Sequence, residues 1–403
     1  VARAFEVFAR FLRLGCTSFG GPVAHLGYFR REFVESAGWL DDHSFAEIVA
    51  LCSVLPGPTS SQVGMCLGFR RAGLPGALLA WLAFTTPSAL LMGGFGLALR
   101  ATSATASLER SAALSGALEG LAAAAAAVVF RAVLQLGQTL VRTRAEGAIT
   151  AGSVVLALAA GRYAPGLLWL ALVAGGVAGA ALDRGSALPR TAPPLVISRR
   201  TGAVAGCSLI ALLAGLPIVT DPSEYSGLFS TFFRAGALVF GGGHVVLPFL
   251  LGLIGPDRVP GRLFFAGYGA AQAMPGPLFT FAAFLGAVDR RTGGAAGALV
   301  ALLGIFSPSF LLLAAAVPLW GALRALPRAG AALAGLGAAV VGLLAAAFVN
   351  PIALGLLRDP RAAGLAAVAF GALTLRAPAW AVVVAAAVAG AALQTIIPAH
   401  ASG

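Results

Sequence analysis

Apolar runs of about 20 residues follow one another along nearly the whole of this 403-residue chain, and that is the length a helix needs to cross a bilayer. They lie at 8–29, 44–69, 74–99, 111–136, 145–161, 164–182, 202–219, 228–254, 262–288, 295–320, 329–350, 360–375 and 377–397, about thirteen spans. Only 10% of the residues are charged, against about 25% in a soluble domain. The mean hydropathy is +0.91. The predicted fold class is an all-α polytopic membrane protein.

Every one of the 27 basic residues is arginine, and the net charge is +12. The arginines sit in short pieces between apolar runs and build no basic domain, so nucleic acid is excluded as a partner and their role is orientation in the lipid bilayer. With the N-terminus as loop zero, the even loops, which include Arg70, Arg71, Arg142 and Arg144, outnumber the odd ones in arginine. That excess predicts a cytoplasmic N-terminus in the inner (cytoplasmic) membrane. The opening "VARAFEVFARFLRLG" has no small-residue cleavage site after a clean apolar core and does not read as a cleaved signal peptide. Cys16, Cys52, Cys66 and Cys207 form no CxxC pair, which leaves them as buried small hydrophobes rather than zinc ligands or a disulfide framework.

Within this apolar sequence "LPGPTS" at 55–60 is out of place, because two prolines and a glycine break a helix inside a span. The same device recurs. "FLRLGCTSFGG" from Phe11 matches "FFRAGALVFGG" from Phe232, pairing Arg13 with Arg234 and Gly15 with Gly236 at an offset of 221. "LPGPTS" matches "MPGPLF", with Pro56 on Pro275 at an offset of 219; "RRAG" at Arg70 matches "RRTG" at Arg290, and "TPS" at Thr86 matches "SPS" at Ser307. Four landmarks in one order are a duplication. The predicted organisation is an N-terminal repeat at 1–182, a polar cytoplasmic linker at 183–200 and a C-terminal repeat at 201–403. Seven spans separate the two starts, an odd number, so the copies are expected to run in opposite directions, as inverted repeats.

Non-helical backbone cannot face lipid and must be buried in protein or line a cavity. A break also creates a helix N-terminus inside the membrane, where free N–H groups and the helix dipole favour an anion. In the first copy Pro56, Gly57 and Pro58 lead into Thr59, Ser60, Ser61 and Gln62; in the second, Pro275, Gly276 and Pro277 lead to Thr280 alone, with Gln272 just before. The first half is thus expected to supply more of the side-chain polarity. Gly20, Gly21 and Pro22, and Gly241, Gly242 and Gly243, allow backbone to approach a ligand. Arg13 and Arg234, before these glycines, are candidate anion contacts, with orientation charges as the plain alternative. His25 and His244 join the candidate set, although a histidine at a helix end is more often a structural hydrogen-bonder. Glu47 is the candidate proton carrier, or simply the start of a helix at the surface. Glu32, Glu35, Asp41 and Asp42 form with Arg30 and Arg31 a solvated or salt-bridged loop. The alanines of 121–127 are expected to be close-packing surface.

"FGGPVAHLGYFRREFVESAGWLDDHSFAEIVALCSVLPGPTSSQVGMCLGFRRAG", with "FGGGHVVLPFL" and "QAMPGPLFTFAAFLGA", resembles the chromate ion transporter superfamily, long-chain type. The resemblance implies a two-domain antiparallel transporter that exports chromate, driven by the proton gradient, with sulfate as a competitor of the same tetrahedral shape. Its pattern often has glutamine before the first Pro-Gly-Pro, where this chain reads "CSVL"; the second copy keeps Gln272. A passive anion channel or a carrier of another oxyanion is the alternative. A membrane enzyme is disfavoured, since neither paired carboxylates nor a His/Cys cluster is at ligand spacing. No cofactor or metal is expected, and a chain without lysine has no Walker A motif. No segment declares a dimer face, so a homodimer is one option for its assembly.

Overall fold

The computed structural model describes residues 2–104, 111–160, 167–182, 195–221, 224–240 and 243–396. Among them there is no strand. The helices of the first half are α1 (Ala2–Thr17), α2 (Gly21–Phe29, continued by a π-helical turn over Arg30–Ser36), α3 (Asp42–Val54), α4 (Thr59–Ala104), α5 (Ala112–Leu140), α6 (Arg144–Ala160) and α7 (Leu167–Leu182). Then come α8 (Arg199–Val219), α9 (Tyr225–Leu238), α10 (Val246–Arg258), α11 (Gly261–Ala273), α12 (Phe281–Val288), α13 (Ala295–Ala325), α14 (Ala329–Ala347), α15 (Pro360–Thr374) and α16 (Ala379–Ile396). Most of the expected linker, 183–194, lies outside the described residues.

Among the described residues six helical stretches are long and apolar enough to cross a membrane: Thr59–Thr102, Ala112–Leu140, Arg199–Val219, Ala295–Leu323, Ala329–Leu356 and Ala379–Ile396. Four of the thirteen expected spans are instead pairs of short helices meeting at a break. Residues 8–29 divide between α1 and α2, and 44–69 between α3 and the start of α4, which itself kinks at Ala72 and Gly73. Likewise 228–254 divide between α9 and α10, and 262–288 between α11 and α12. Half-helices of 8 to 16 residues reach at most about 24 Å at 1.5 Å per residue, short of the roughly 30 Å hydrocarbon core.

Local chemistry sets the breaks. The residue before each first proline is extended, Leu55 at φ −79°, ψ 147° and Met274 at φ −87°, ψ 145°, because proline excludes helical geometry from its predecessor. Gly57 and Gly276 follow at φ +109° and +89°, where only glycine is unstrained. On the other side of the sequence repeat, Gly20 takes a left-handed φ of 102° before α2, whose first turn holds Pro22. The Asp41 side chain caps α3 by accepting from the Ser44 N–H at 2.7 Å.

Packing is exchanged between the two copies. α1 crosses α4 where a Cβ on Gly15 would stand 2.8 Å from the Phe84 carbonyl oxygen, and α9 crosses α13 where a Cβ on Gly236 would stand 2.0 Å from that of Ile305. Both members of the second pair lie 221 residues after those of the first. α5 packs on α15 and α16, while its counterpart α14 packs on α6 and α7. Small residues make both seams: Gly116 and Gly120 face Gly390 and Ala386, and Gly175 and Gly179 face Gly335 and Ala331. Such Gly-xxx-Gly faces let backbones approach in a membrane, where van der Waals packing drives association. Ala123–Ala127 are buried, as expected for the alanine run.

Large apolar side chains cover the outer surface, and α8 is the most exposed of the crossing helices, with Val204, Ile210 and Ile218 among its outward residues. Cys52 and Cys66 are buried, but Cys16 and Cys207 are exposed, because each lies on the outer face of its helix. A buried ion pair joins Arg258 to Asp289 at 2.7 Å. Arg100, from the far end of α4, donates to the Asp289 carbonyl at 2.6 Å.

Gly236→Ala is expected to lower the melting temperature of the detergent-purified protein, because the new methyl group meets backbone. Gly215→Ala, with nothing near its added Cβ, is expected to leave it unchanged or raise it. Asp289→Ala strands a buried guanidinium and is expected to cost about 3 kcal/mol or more in the same melting series.

Candidate anion-binding site at the helix breaks

The two Pro-Gly-Pro loops are held by each other's half. The Gly57 N–H donates to the Val239 carbonyl at 2.6 Å, and the Gly276 N–H donates to the Ser18 carbonyl at 2.9 Å. A Cβ on Gly57 would lie 3.1 Å from Ser309 Oγ and 3.4 Å from the Gly236 oxygen; one on Gly276 would lie 3.0 Å from Ser88 Oγ and 3.5 Å from the Gly15 oxygen. Ser88 and Ser309 are again 221 apart. Each loop is therefore seated in the same kind of notch, made by the first helix and the Thr/Ser-Pro-Ser turn of the other copy.

His25 ties the first copy together. Its ring is fully buried, with Nε2 3.2 Å from the Ser18 carbonyl and Nδ1 3.2 Å from Ser60 Oγ. A carbonyl only accepts, so Nε2 carries the proton, and Nδ1 accepts from the Ser60 hydroxyl. The Ser18 oxygen thus receives both His25 and Gly276, which links the break before α2, the start of α4 and the opposite loop. Gln62 closes its own loop by donating from Nε2 to the Pro56 carbonyl at 2.6 Å. In the second copy Val246 and Phe281 take the places of His25 and Gln62, by the offsets of 221 and 219.

Eight buried side-chain polar atoms have no hydrogen-bond partner among the described residues, and six of them gather at this assembly: Ser18 Oγ, Ser61 Oγ, Gln62 Oε1, Thr85 Oγ1, Gln272 Nε2 and Ser309 Oγ. Leaving a buried polar group unpaired costs about 1–3 kcal/mol, so six on the segments that flank and seat the two loops mark a place that takes a polar guest. The first N–H groups of α2 and α4 add free donors and a positive dipole end. Together they provide buried donors and hydroxyls around backbone, a set of groups suited to an oxyanion.

Of the expected residues, Pro56, Gly57, Pro58, Ser60, Gln62, Pro275, Gly276 and Pro277 are buried in the two loops, with Thr59 half-buried. Thr280 turns back on its own loop, donating to the Pro277 carbonyl at 2.8 Å. Gln272 lies beside the Tyr268 hydroxyl. Gly243 packs on Leu278, Gly20 is exposed, and Gly21 and Pro22 are half-buried. Gly241, Gly242 and the side chain of His244 lie outside the described residues.

The arginines differ. Arg13 is exposed and ion-paired with Glu32, which also accepts from Arg10 at 2.6 Å. Glu32 is buried in the π-helical turn rather than solvated, while Arg30 pairs with Glu35 and Asp42 at the surface. Arg234 is half-buried and has no ion pair or hydrogen bond from its side chain among the described residues. Glu32's counterpart in that half is Leu253. The Glu47 side chain is 10% exposed and faces His43 Nδ1 at 3.4 Å, the imidazole itself lying at the surface. Sequence reasoning missed Ser18, Thr85, Ser88 and Ser309. The signal was the "TPS" and "SPS" pair, legible as a repeat landmark but not as part of a site. Among the described residues no three His, Cys, Asp or Glu side chains gather as metal ligands would.

The model of the chromate transporter family matches residues 5–180 and 226–391, leaving out the stretch that holds α8. The chain is 32% identical over 356 residues to the chromate transport protein of Pseudomonas aeruginosa, an alignment covering 86% of this chain and 80% of that one. It is 28% identical to the chromate transport protein of Cupriavidus metallidurans, with 84% and 80% covered. It is also 28% identical to the probable chromate transport protein of Synechococcus elongatus, with 84% and 82% covered. No solved structure matches it. A multi-pass helical membrane protein with these matches over both of its copies belongs to the chromate transporter family.

Proposed function

We propose that this chain is a secondary transporter that exports chromate across the cytoplasmic membrane, with the cytoplasmic N-terminus that its arginine distribution favours. The relatives named above are chromate transport proteins, and the observation that carries the reading in this chain is the group of six unpaired buried polar atoms around the two Pro-Gly-Pro loops. A tetrahedral dianion needs donors from several directions. Ser61, Thr85 and Ser309 hydroxyls, the Gln272 amide and the start of α4 supply them without a full opposing charge. Sulfate has the same shape and charge and is expected to compete.

The two copies, 1–182 and 201–403, act as inverted repeats that close around this site. The exchanged loops and exchanged helix seams support that reading, since a pseudo-two-fold axis in the membrane plane produces reciprocal contacts of this kind. Arg13 and Arg234 draw the anion in. Arg234 is the freer of the two, because no carboxylate among the described residues holds it. Glu47 carries the coupling proton. Its nearly buried carboxylate faces His43, which stands at the surface and can relay a proton inward.

Proteoliposomes loaded with labelled chromate test the reading directly. Gradient-driven, saturable flux inhibited by sulfate is expected; absence of chromate flux in protein that is folded by its melting curve would reject it. Arg234→Gln is expected to reduce chromate flux about tenfold or more, and by more than Arg13→Gln, whose charge is shared with Glu32. Glu47→Gln is expected to abolish acceleration by a pH gradient while leaving exchange of labelled for unlabelled chromate. Equal sensitivity of both processes would remove Glu47 from proton coupling.

A further inference from the structure

At one end of the first half, away from the breaks, α1, the loop before α3 and the end of the first segment of α4 enclose a cavity of about 290 Å³ lined by Arg3, Trp39, Leu40, Leu67, Arg70 and Arg71. Three guanidinium groups share this small space. Arg71 is positioned by others: it donates through Nε and Nη2 to Glu6 at 3.1 and 2.7 Å, and its guanidinium lies over the Trp39 ring, 5.3 Å from the centroid. The Trp39 indole N–H donates to the same carboxylate at 3.1 Å. The Arg71 guanidinium beside Glu6 holds that carboxyl below the usual carboxylate range, so it remains an anion and keeps its partners in place. Arg70 interacts with neighbouring groups, Asp41 among them. Arg3 is exposed and has no side-chain partner among the described residues.

The charge around this cavity does not cancel. The three arginines that line it stand against two carboxylates that act on them, Glu6 and Asp41, an excess of one cation. In the second copy Arg258 takes the place of Trp39, at the offset of 219 that relates Pro56 to Pro275. It is locked onto Asp289 with both groups buried. One copy carries a buried ion pair at this position, and the other a cationic cavity with an indole and two leucines beside the guanidinium groups.

We propose that this cavity is a binding site for a phosphate-type oxyanion, held by Arg3 and Arg70 against the Arg71–Trp39 stack and presented either on an anionic phospholipid headgroup or free in solution. Basic pockets at the membrane surface take headgroups in this way, and an indole sits well at headgroup level. The site is separate from the break region and does not depend on chromate being the transported ion.

The full chain in mixed nanodiscs, released and weighed by native mass spectrometry, reads the lipid source; melting in detergent with inorganic phosphate reads the free one. Retention of phosphatidylglycerol over phosphatidylcholine by about tenfold or more, lost in the combined Arg3→Ala and Arg70→Ala variant and kept in Arg200→Ala, would establish a headgroup site. Stabilisation by millimolar phosphate, absent in the same variant, would establish a free-oxyanion site. If the double variant does not fold, Arg3→Ala alone, on an exposed side chain, is read in its place. Wild-type protein that neither prefers the anionic lipid nor responds to phosphate would overturn the proposal, as would either response persisting unchanged in the variants.

Discussion

In a bilayer, backbone that leaves a helix has no water to satisfy it, and this requirement governs the molecule. Four of its apolar stretches break, and the two Pro-Gly-Pro loops answer the requirement by donating to carbonyls in the opposite copy, Gly57 to Val239 and Gly276 to Ser18. Everything near the candidate site follows from those two bonds. They demand glycine at positive φ, they demand that α1 and α9 approach α4 and α13 at backbone distance, and they place the Thr/Ser-Pro-Ser turns against the loops.

The two copies share this frame but have diverged in what fills it. His25, Ser60 and Gln62 make the first copy polar, while Val246, Phe279 and Phe281 make the second apolar at the matching positions. The charges have diverged too. Glu32 binds two arginines in the first half, and with Leu253 in its place Arg234 has no ion pair among the described residues of the second. A duplicated frame with unequal filling can keep its geometry in register while its two sides take on different tasks.

Much of this was legible before the structure. The repeat offsets of 221 and 219, the break positions and the greater polarity of the first copy are all in the residues. What was not legible has a common cause. An offset tells which residues are equivalent, but not which ones touch, so the exchange of loops between copies and the facing of Ser309 on Gly57 were hidden. Hydropathy averages over a break, which is why α1 with α2, or α11 with α12, reads as one span. Glu32 looked like a loop charge because the π-helical turn that buries it has no composition signal of its own. Among the site residues, His25 emerges as the hydrogen-bonded hub that the general behaviour of helix-end histidines suggests.

The glycine seam between α5 and α16 has a consequence for synthesis. Gly116 and Gly120 meet Gly390 and Ala386, partners about 270 residues later in the chain. At roughly 5–20 residues per second, the ribosome delivers those partners about 15–50 s after the groove itself has been made. During that interval the Gly-xxx-Gly face of α5 is in the membrane and open to whatever small-faced helix arrives first. The α7 face waits a shorter time for Gly335 and Ala331. The α5 seam is thus closed long after its first face is made, and loss of α16 would leave Gly116 and Gly120 without their partners.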